Sequence, residues 1–311
     1  MERVLHHRRL PEHLRGGVIA LGNFDGFHKG HQAVAERAVQ HAHDEKRPVI
    51  IATFDPHPVR HFRPDVPPFR LTTLDQREEL FDEAGAHAML VFEFGDELAN
   101  TSAESFIEDI LLDRFGVAGV VTGNDFVFGK GRQGDVVMLA EYAQRHGFFT
   151  EITSPVADAE EIVSSSRIRE ALQAGDCATA TRLLTRPFTI EGEVIHGAGQ
   201  GRDLGYPTAN IELGAYLRPR YGIYAVRGRL PDGRTLDGAA NLGIRPSFEP
   251  PAELLEPHFF DFDGDLYGKT IAVELIDFIR PEEKFDDLEA LKSRMAEDCT
   301  EARRRLTRHI L

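Results

Sequence analysis

Cysteine is scarce: there are two in 311 residues, Cys177 and Cys299. That excludes a disulfide framework and predicts a reducing compartment. Long apolar runs are missing too, and the N-terminus lacks the apolar core of a signal peptide. A cytoplasmic chain with no membrane partner is the expectation. Basic charge is in deficit, with 36 Lys and Arg against 51 Asp and Glu and a net charge of -15. A nucleic-acid footprint needs a basic face, so DNA and RNA are not expected as partners. The one dense basic run, Arg303-Arg304-Arg305, reads as a solvated face of the last helix. There is no H-E-x-x-H pattern and no Cys near paired histidines, which argues against zinc. Internal repeats and low-complexity tracts are also lacking. What remains is an ordinary globular composition with enough chain for two cores.

The stretch Gly22-Asn23-Phe24-Asp25-Gly26-Phe27-His28-Lys29-Gly30-His31 organises the first half. Before it, Val18–Leu21 is a short apolar run that predicts a buried strand. After it, Val34, Ala35, Ala38, Val39 and Ala42 recur at helical spacing. The stretch is therefore a strand-to-helix turn. Its glycines permit close backbone approach, and the free N–H groups at the helix start favour a phosphate. His28 and His31 can add donors to that phosphate. The plainer alternative is a glycine-rich turn with two surface histidines.

Strands and helices go on alternating. Runs at 49–53, 89–92, 117–122 and 148–152 predict further strands. Helices are predicted from a Thr73 or Asp75 cap to Ala84, from near Ser102, and from Asp135 to His146. In the second of these Phe106, Ile107, Ile110 and Leu111 share a face. The alternation implies a mostly parallel, doubly wound sheet. Ligands of such sheets bind beyond the carboxyl ends of the strands. The unusual loops at 22–31, 53–58 and 123–134 all fall there. Next, Ser164-Ser165-Ser166-Arg167 opens a short helix ending at Gly175. Capping hydroxyls and the arginine fork make a second phosphate corner, or else simply a capped surface helix.

From Phe188 the pattern changes to short β-like runs broken by glycines, at 189–195, 222–229, 236–241, 258–262 and 270–279. These predict a small closed antiparallel barrel. A last helix follows, capped by Asp286 or Asp287, with Leu288, Leu291 and Met295 on one face. The switch places a domain boundary at 185, giving domains 1–185 and 186–311. The densest stretch of this half is Gly197–Asn210. Its glycines allow backbone N–H groups to face an anion. Thr208 and Asn210 offer neutral oxygens on one side of an extended chain, which suits Mg²⁺ held mainly by nucleotide phosphates. A mobile glycine-rich hairpin is the alternative. Glu256, entering an aromatic strand, can take a proton from a substrate hydroxyl; so can Glu253, and either can equally be an exposed charge. Phe259, Phe260, Phe262 and Tyr267 either line a site for a flat substrate or fill the barrel.

Taken together these motifs resemble the bacterial bifunctional riboflavin kinase/FAD synthetase family. His28-Lys29-Gly30-His31 is similar to the His–x–Gly–His hallmark of nucleotidyltransferases. The loops Thr53–Pro58 and Gly123–Gly129 and the element Ser164–Arg169 match the flavin branch. Gly201–Asn210, Ala240–Pro246 and Asp265–Lys269 resemble riboflavin kinase. The resemblance implies a Rossmann-like nucleotidyltransferase domain followed by a riboflavin kinase β-barrel with a terminal helix. It also implies two steps that use ATP as co-substrate and Mg²⁺ as cofactor. Riboflavin is phosphorylated to FMN by the second domain, and FMN is adenylylated to FAD by the first.

Carried over by motif, Gly22, Phe24, Asp25, Gly26, His28, His31, Asp125, Ser164, Ser165 and Arg167 bind the nucleotide of the adenylyltransferase. His28, His31 and Arg167 serve its chemistry. Pro56, His57, Pro58 and Asp125 contact its flavin. In the kinase, His196, Gly197, Gly201, Arg202, Thr208 and Asn210 bind nucleotide, Thr208 and Asn210 hold Mg²⁺, and Glu256 is the base. Three positions depart from the pattern: Val127 stands where relatives often carry Arg, Ser166 replaces a common Thr, and Pro257 follows the base. A proline there favours an edge or a strand start. Two other readings stay open, a kinase whose nucleotidyltransferase domain is inactive or altered, and a flavin-binding regulator without catalysis.

Overall fold

The computed structural model describes residues 1–197, 205–245, 251–285 and 287–308. By compactness the chain falls into two units, Met1–Pro67 with Thr72–Ser164, and Pro68–Leu71 with Ser165–Leu311.

In chain order the first unit contains β1 (Glu2–Leu5), β2 (Val18–Leu21), α1 (Lys29–Glu45), β3 (Val49–Asp55), α2 (Pro58–Phe62), α3 (Leu74–Glu83) and β4 (Ala88–Glu93). After these come α4 (Asp96–Asn100) and a helical stretch, α5, that starts as Ala103–Ser105 and continues in π-helical turns over Phe106–Arg114. The unit ends with β5 (Gly119–Gly123), α6 (Val136–His146), β6 (Phe149–Thr153) and a small antiparallel pair, β7 (Ala157–Asp158) and β8 (Glu161–Ile162). The six main strands form one parallel sheet in the order β1-β4-β3-β2-β5-β6. The chain works outward from β2 through β3 to β4, then returns to the other side of β2 for β5. The loops after β2 and β5 therefore diverge at one point, where doubly wound sheets bind ligands.

The alternation of side chains along β2 builds the layers. Ile19 and Leu21 face a core with Phe106, Ile107, Ile110, Leu111 and Leu139. Val18 and Ala20 face the other, with Val34, Ala35, Ala38 and Phe81. The four apolar positions of α5 predicted to share a face are all buried. The predicted caps are in place. Thr73 makes a capping box with Gln76, Ser102 accepts from Ser105 N, and Asp135 accepts from Val137 N and Met138 N. β1 was not predicted: two of its four residues are exposed and charged, as at a sheet edge.

The second unit opens with α7 (Ser165–Ala174) and α8 (Cys177–Leu184), and continues with β9 (Phe188–Glu193), β10 (Ile211–Glu212), β11 (Gly222–Arg229), β12 (Thr235–Arg245), β13 (Ala252–Phe259), β14 (Thr270–Arg280) and α9 (Leu288–Arg308). The change of pattern near 185 marks where its strands begin, whereas packing divides the chain after Ser164. The strands form an antiparallel sheet in the order β10-β13-β12-β11-β14-β9. A bridge between Ile195, just past β9, and Asn210, just before β10, brings its two edges together, so that the predicted barrel is nearly closed. Two-residue β10 carries no periodicity of its own, which is why the sequence did not show it.

In α9, Asp287 accepts from Ala290 N at 2.8 Å as the cap; Asp286, the other candidate, lies outside the described residues. The predicted apolar face needs correcting. Leu288 is exposed and Leu291 and Met295 only half-buried, while Ala302 and Leu306 pack with Ala225, Ala239, Phe260 and Ile276. The helix docks by its C-terminal half. Arg280, doubly bonded to buried Asp298 at 2.8 and 2.7 Å, fixes its middle.

Candidate functional sites

The loop after β2 folds inward. Phe24 and Phe27 take positive φ of 50° and 40° around Gly26 at 87°. This turns both rings into the core, where Phe24 meets Phe27 and Phe81 edge-on. Phe24, predicted to bind nucleotide, thus has a side chain that packs, and only its backbone serves the loop. Gly22 lies under that ring: a Cβ there would come within 3.2 Å of it. Asp25 is buried and accepts from Thr72 N at 3.0 Å and Thr72 Oγ1 at 3.3 Å, while Gly26 N donates to the same hydroxyl. Asp25 and Gly26 therefore hold the loop's shape.

His28 caps α1. Its Nδ1 accepts from His31 N at 3.4 Å, and the two imidazoles stack with centroids 3.6 Å apart. Acceptance at Nδ1 leaves the proton of neutral imidazole on Nε2, so a donor is set at the helix entrance. Gly30 makes this possible, because a Cβ there would stand 3.2 Å from His28 Cε1 and 3.7 Å from Val163 O. The same contact places the chain just before Ser164 beside the histidines. Lys29, paired with Asp158 at 3.0 Å, ties down the β7–β8 pair in the same region.

At the end of β3, Pro56 is exposed, and His57 caps α2 by accepting from Val59 N at 3.2 Å, with Pro58 in the first turn. After β5, Asp125 is exposed; its Oδ1 lies 3.0 Å from where a Cβ on Gly123 would sit. Val127 is half-buried. Ser164 is the last residue of the first unit, and Ser165 and Arg167 lie on α7 of the second. Two features escaped the sequence reading. Arg77 on α3 is buried, and its Nη1 donates to Thr53 Oγ1 at 2.8 Å and reaches Asn23 O and Phe54 O at 3.5 and 3.4 Å. It pins the loop after β2 to the end of β3. Phe62 is 64% exposed and sits edge-on to His61 and Phe94, giving an aromatic surface beyond β3 and β4. A lone Arg in a charged helix and a Phe beside a His carry no pattern that would single them out.

In the barrel, Ala209 N donates to Pro257 O at 3.0 Å, bringing the Thr208–Asn210 segment alongside Glu256. In a strand the N and C=O of one residue point to the same side. The N–H that Pro257 lacks therefore faces this short segment and not the long neighbour β12. Pro257 costs no ladder bond in the barrel wall. Asn210 is buried, and a Cβ on Gly197 would stand 2.5 Å from its amide nitrogen, so Gly197 lies flush against it. Thr208 is half-buried. His196, next to Gly197, stacks on Tyr267 at 3.9 Å. Gly201 and Arg202 lie outside the described residues. Phe259 and Phe260 fill the core, while Phe262 lies beneath Arg234.

The two candidate bases part company here. Glu253 is bonded to Arg218 at 2.8 Å and to the Tyr221 hydroxyl; the Arg218 bond holds its carboxyl below the usual range. Glu256 is enclosed, and burial pushes its carboxyl up against the opposing pull of Arg245. A proton acceptor works best when its pKa is raised toward the operating pH, and of the two only the Glu256 carboxyl is shifted that way. Arg245 and Glu282, beside Glu256, were given no role from the sequence.

Comparison with known proteins places each half of the chain in a family. The FAD synthetase family profile matches residues 10–167 and the riboflavin kinase profile residues 184–306. The chain is 39% identical over 302 residues to the bifunctional riboflavin kinase/FMN adenylyltransferase of Pseudomonas fluorescens, covering 97% of this chain and 96% of that one. With the protein of the same description from Escherichia coli K12 it shares 36% over 288 residues, covering 93% and 92%. A crystal structure titled as a macrolide-efflux protein from Streptococcus pneumoniae superposes with a TM-score of 0.85 at 28% identity, over 96% of this chain and 97% of that one. No helix among the described residues is long and apolar enough to cross a membrane. With both halves matched in order and over nearly the full length, the chain belongs to the bifunctional riboflavin kinase/FMN adenylyltransferase family.

Proposed function

We propose that two functional domains, residues 1–185 as the adenylyltransferase and 186–311 as the kinase, run consecutive ATP-dependent steps. In the kinase step the terminal hydroxyl of riboflavin attacks the γ-phosphorus of ATP. An oxygen–phosphorus bond forms, the bond to the β–γ bridging oxygen breaks, ADP leaves with that electron pair, and the hydroxyl proton passes to Glu256. A neutral hydroxyl needs such a base. The observation that carries this reading is the closeness of enclosed Glu256 to the Thr208–Asn210 segment through the Ala209–Pro257 bond. The neutral oxygens of Thr208 and Asn210, with Asn210 seated against side-chain-free Gly197, fit Mg²⁺. The ion would neutralise charge on the transferred phosphoryl group. His196, Gly197, Gly201 and Arg202 form the nucleotide loop.

In the second step a phosphate oxygen of FMN attacks the α-phosphorus of ATP, and pyrophosphate leaves. That nucleophile is already an anion, so no protein base is required. The site positions two phosphates and stabilises charge between them. The α1 N-terminus, His28 and His31 meet the nucleotide phosphates, with Ser164, Ser165 and Arg167 as the second corner. Pro56, His57, Pro58 and Asp125 meet the flavin, and the aromatic surface at Phe62 and Phe94 gives its ring a flat partner. A cytoplasmic setting belongs to this reading.

The test is to incubate the purified full chain with riboflavin, ATP and Mg²⁺ and resolve the flavins by chromatography. FAD is the expected product. FMN alone would favour an inactive adenylyltransferase domain, and unchanged riboflavin a binding protein. Glu256→Ala is expected to block FMN formation while leaving FMN-to-FAD conversion largely intact, and His28→Ala to do the reverse. Loss of both activities in either folded variant would undo the two-site assignment.

A further inference from the structure

Around Glu256 four side chains from three segments are cross-linked. Arg245 Nε and Nη2 both bond Glu256 Oε2, and Arg245 Nη1 bonds Glu282 Oε1 at 3.2 Å. Asn241 Nδ2 also reaches both carboxylates, Glu256 Oε2 at 3.4 Å and Glu282 Oε1 at 3.2 Å. Each donor thus touches both acceptors. The two carboxylates also settle which way the Asn241 amide points, since only its nitrogen can face them. Asn241 and Arg245 come from β12, Glu256 from β13, and Glu282 from the segment after β14. Glu282 reaches in because residue 243 is glycine: a Cβ there would stand 2.2 Å from Glu282 Oε1. Among the described residues every bond to Glu256's carboxylate falls on Oε2.

We propose that Arg245, Asn241 and Glu282 form a clamp that positions Glu256 for the kinase step, gripping Oε2 so that Oε1 takes the hydroxyl proton. The proposal rests on Glu256 being the kinase base. A bare Arg–Glu pair would hold Oε2 but also stabilise its negative charge and weaken it as a base. Glu282 draws on the same guanidinium from the other end and places a second negative charge nearby. The base is thereby fixed in direction without losing basicity. Among the described residues the charged groups acting on it are Arg245 from β12 and Glu282 from beyond β14, in opposite senses.

The test is the pH dependence of kcat and kcat/KM for FMN formation in the full chain with Mg²⁺ and ATP. Glu282→Gln removes a negative charge and is expected to move the acid limb to lower pH while kcat falls on the order of tenfold. Glu282→Asp, which keeps the charge, is expected to restore the limb. Gly243→Ala is expected to copy Glu282→Gln, since it expels the carboxylate while altering no titratable group. Arg245→Met is expected to move the limb the other way, to higher pH. The KM values for riboflavin and ATP should stay within about twofold, because the clamp acts through Glu256 and not on either substrate. Thermal unfolding confirms that each variant is folded. Profiles that coincide with the parent's, or that shift in one direction for both Glu282→Gln and Arg245→Met, would overturn the clamp. Retained kinase activity in Glu256→Gln would instead overturn the assignment of the base.

Discussion

Gly30 stands between two histidines in the sequence and beneath one of them in space. The cost of a side chain there is steric and local: a Cβ would lie 3.2 Å from His28 Cε1 and 3.3 Å from its Nδ1. The ring must give by a few tenths of an ångström, and with it the donor proposed to face the phosphate. Gly30→Ala is expected to slow FMN-to-FAD conversion on the order of tenfold and leave FMN formation unchanged, as read by single-substrate assays of each step. Asp25 is the opposite case, a residue whose motif position suggests ligand contact but whose carboxylate holds Thr72. Asp25→Ala strands a buried backbone donor and is expected to destabilise the first unit by about 1–3 kcal/mol in denaturant unfolding. Asp25 was visible in the Gly–x–Phe–Asp–Gly context and Gly30 in His–x–Gly–His. Their division of labour was not, because Thr72 is 47 positions away.

At the scale of elements, α9 shows how periodicity can identify a helix and misplace its contact face. The helical spacing is real, but spacing alone does not say which turns touch a neighbour. Leu288, beside the N-cap, is 60% exposed, while Ala302 and Leu306 are sealed against β11 and β12. Leu306→Ala is therefore expected to cost about 2–5 kcal/mol. Leu288→Ala should change stability by no more than about 0.5 kcal/mol, and unfolding of the two variants side by side checks the contrast. Most strands with several apolar residues were readable, although the run read at 258–262 meets β13 only at that strand's last two residues. β1 and β10 were not, the one being half charged and the other two residues long. Both are held by neighbours supplied from elsewhere in the chain.

At the scale of the whole molecule, two chemistries sit in two units and differ in what they need from protons. With Glu256 as the proposed base, FMN formation would depend on its ionised form, and burial has raised that carboxyl above the ordinary pKa. Activity is present above that value and falls as pH drops through it. The acid limb of kcat/KM for FMN formation is therefore expected above the ordinary carboxylate pKa of about 4.5, and FMN-to-FAD conversion should lack that limb. Parallel pH profiles of the two steps check this, and a shared limb would contradict it.

The sequence by itself determined the fold class, the order of the two architectures and the stretches that carry the chemistry, since hydrophobic period, caps and glycine-rich turns are local properties of the chain. Only the tertiary structure decided which Glu is enclosed and which is paired to an arginine, which nitrogen of His28 accepts from the backbone, and that Arg77, Arg245 and Glu282 bond to residues of the candidate sites. Burial, a fixed tautomer and a shared guanidinium are made by groups far apart in sequence. They exist only after the strands have paired.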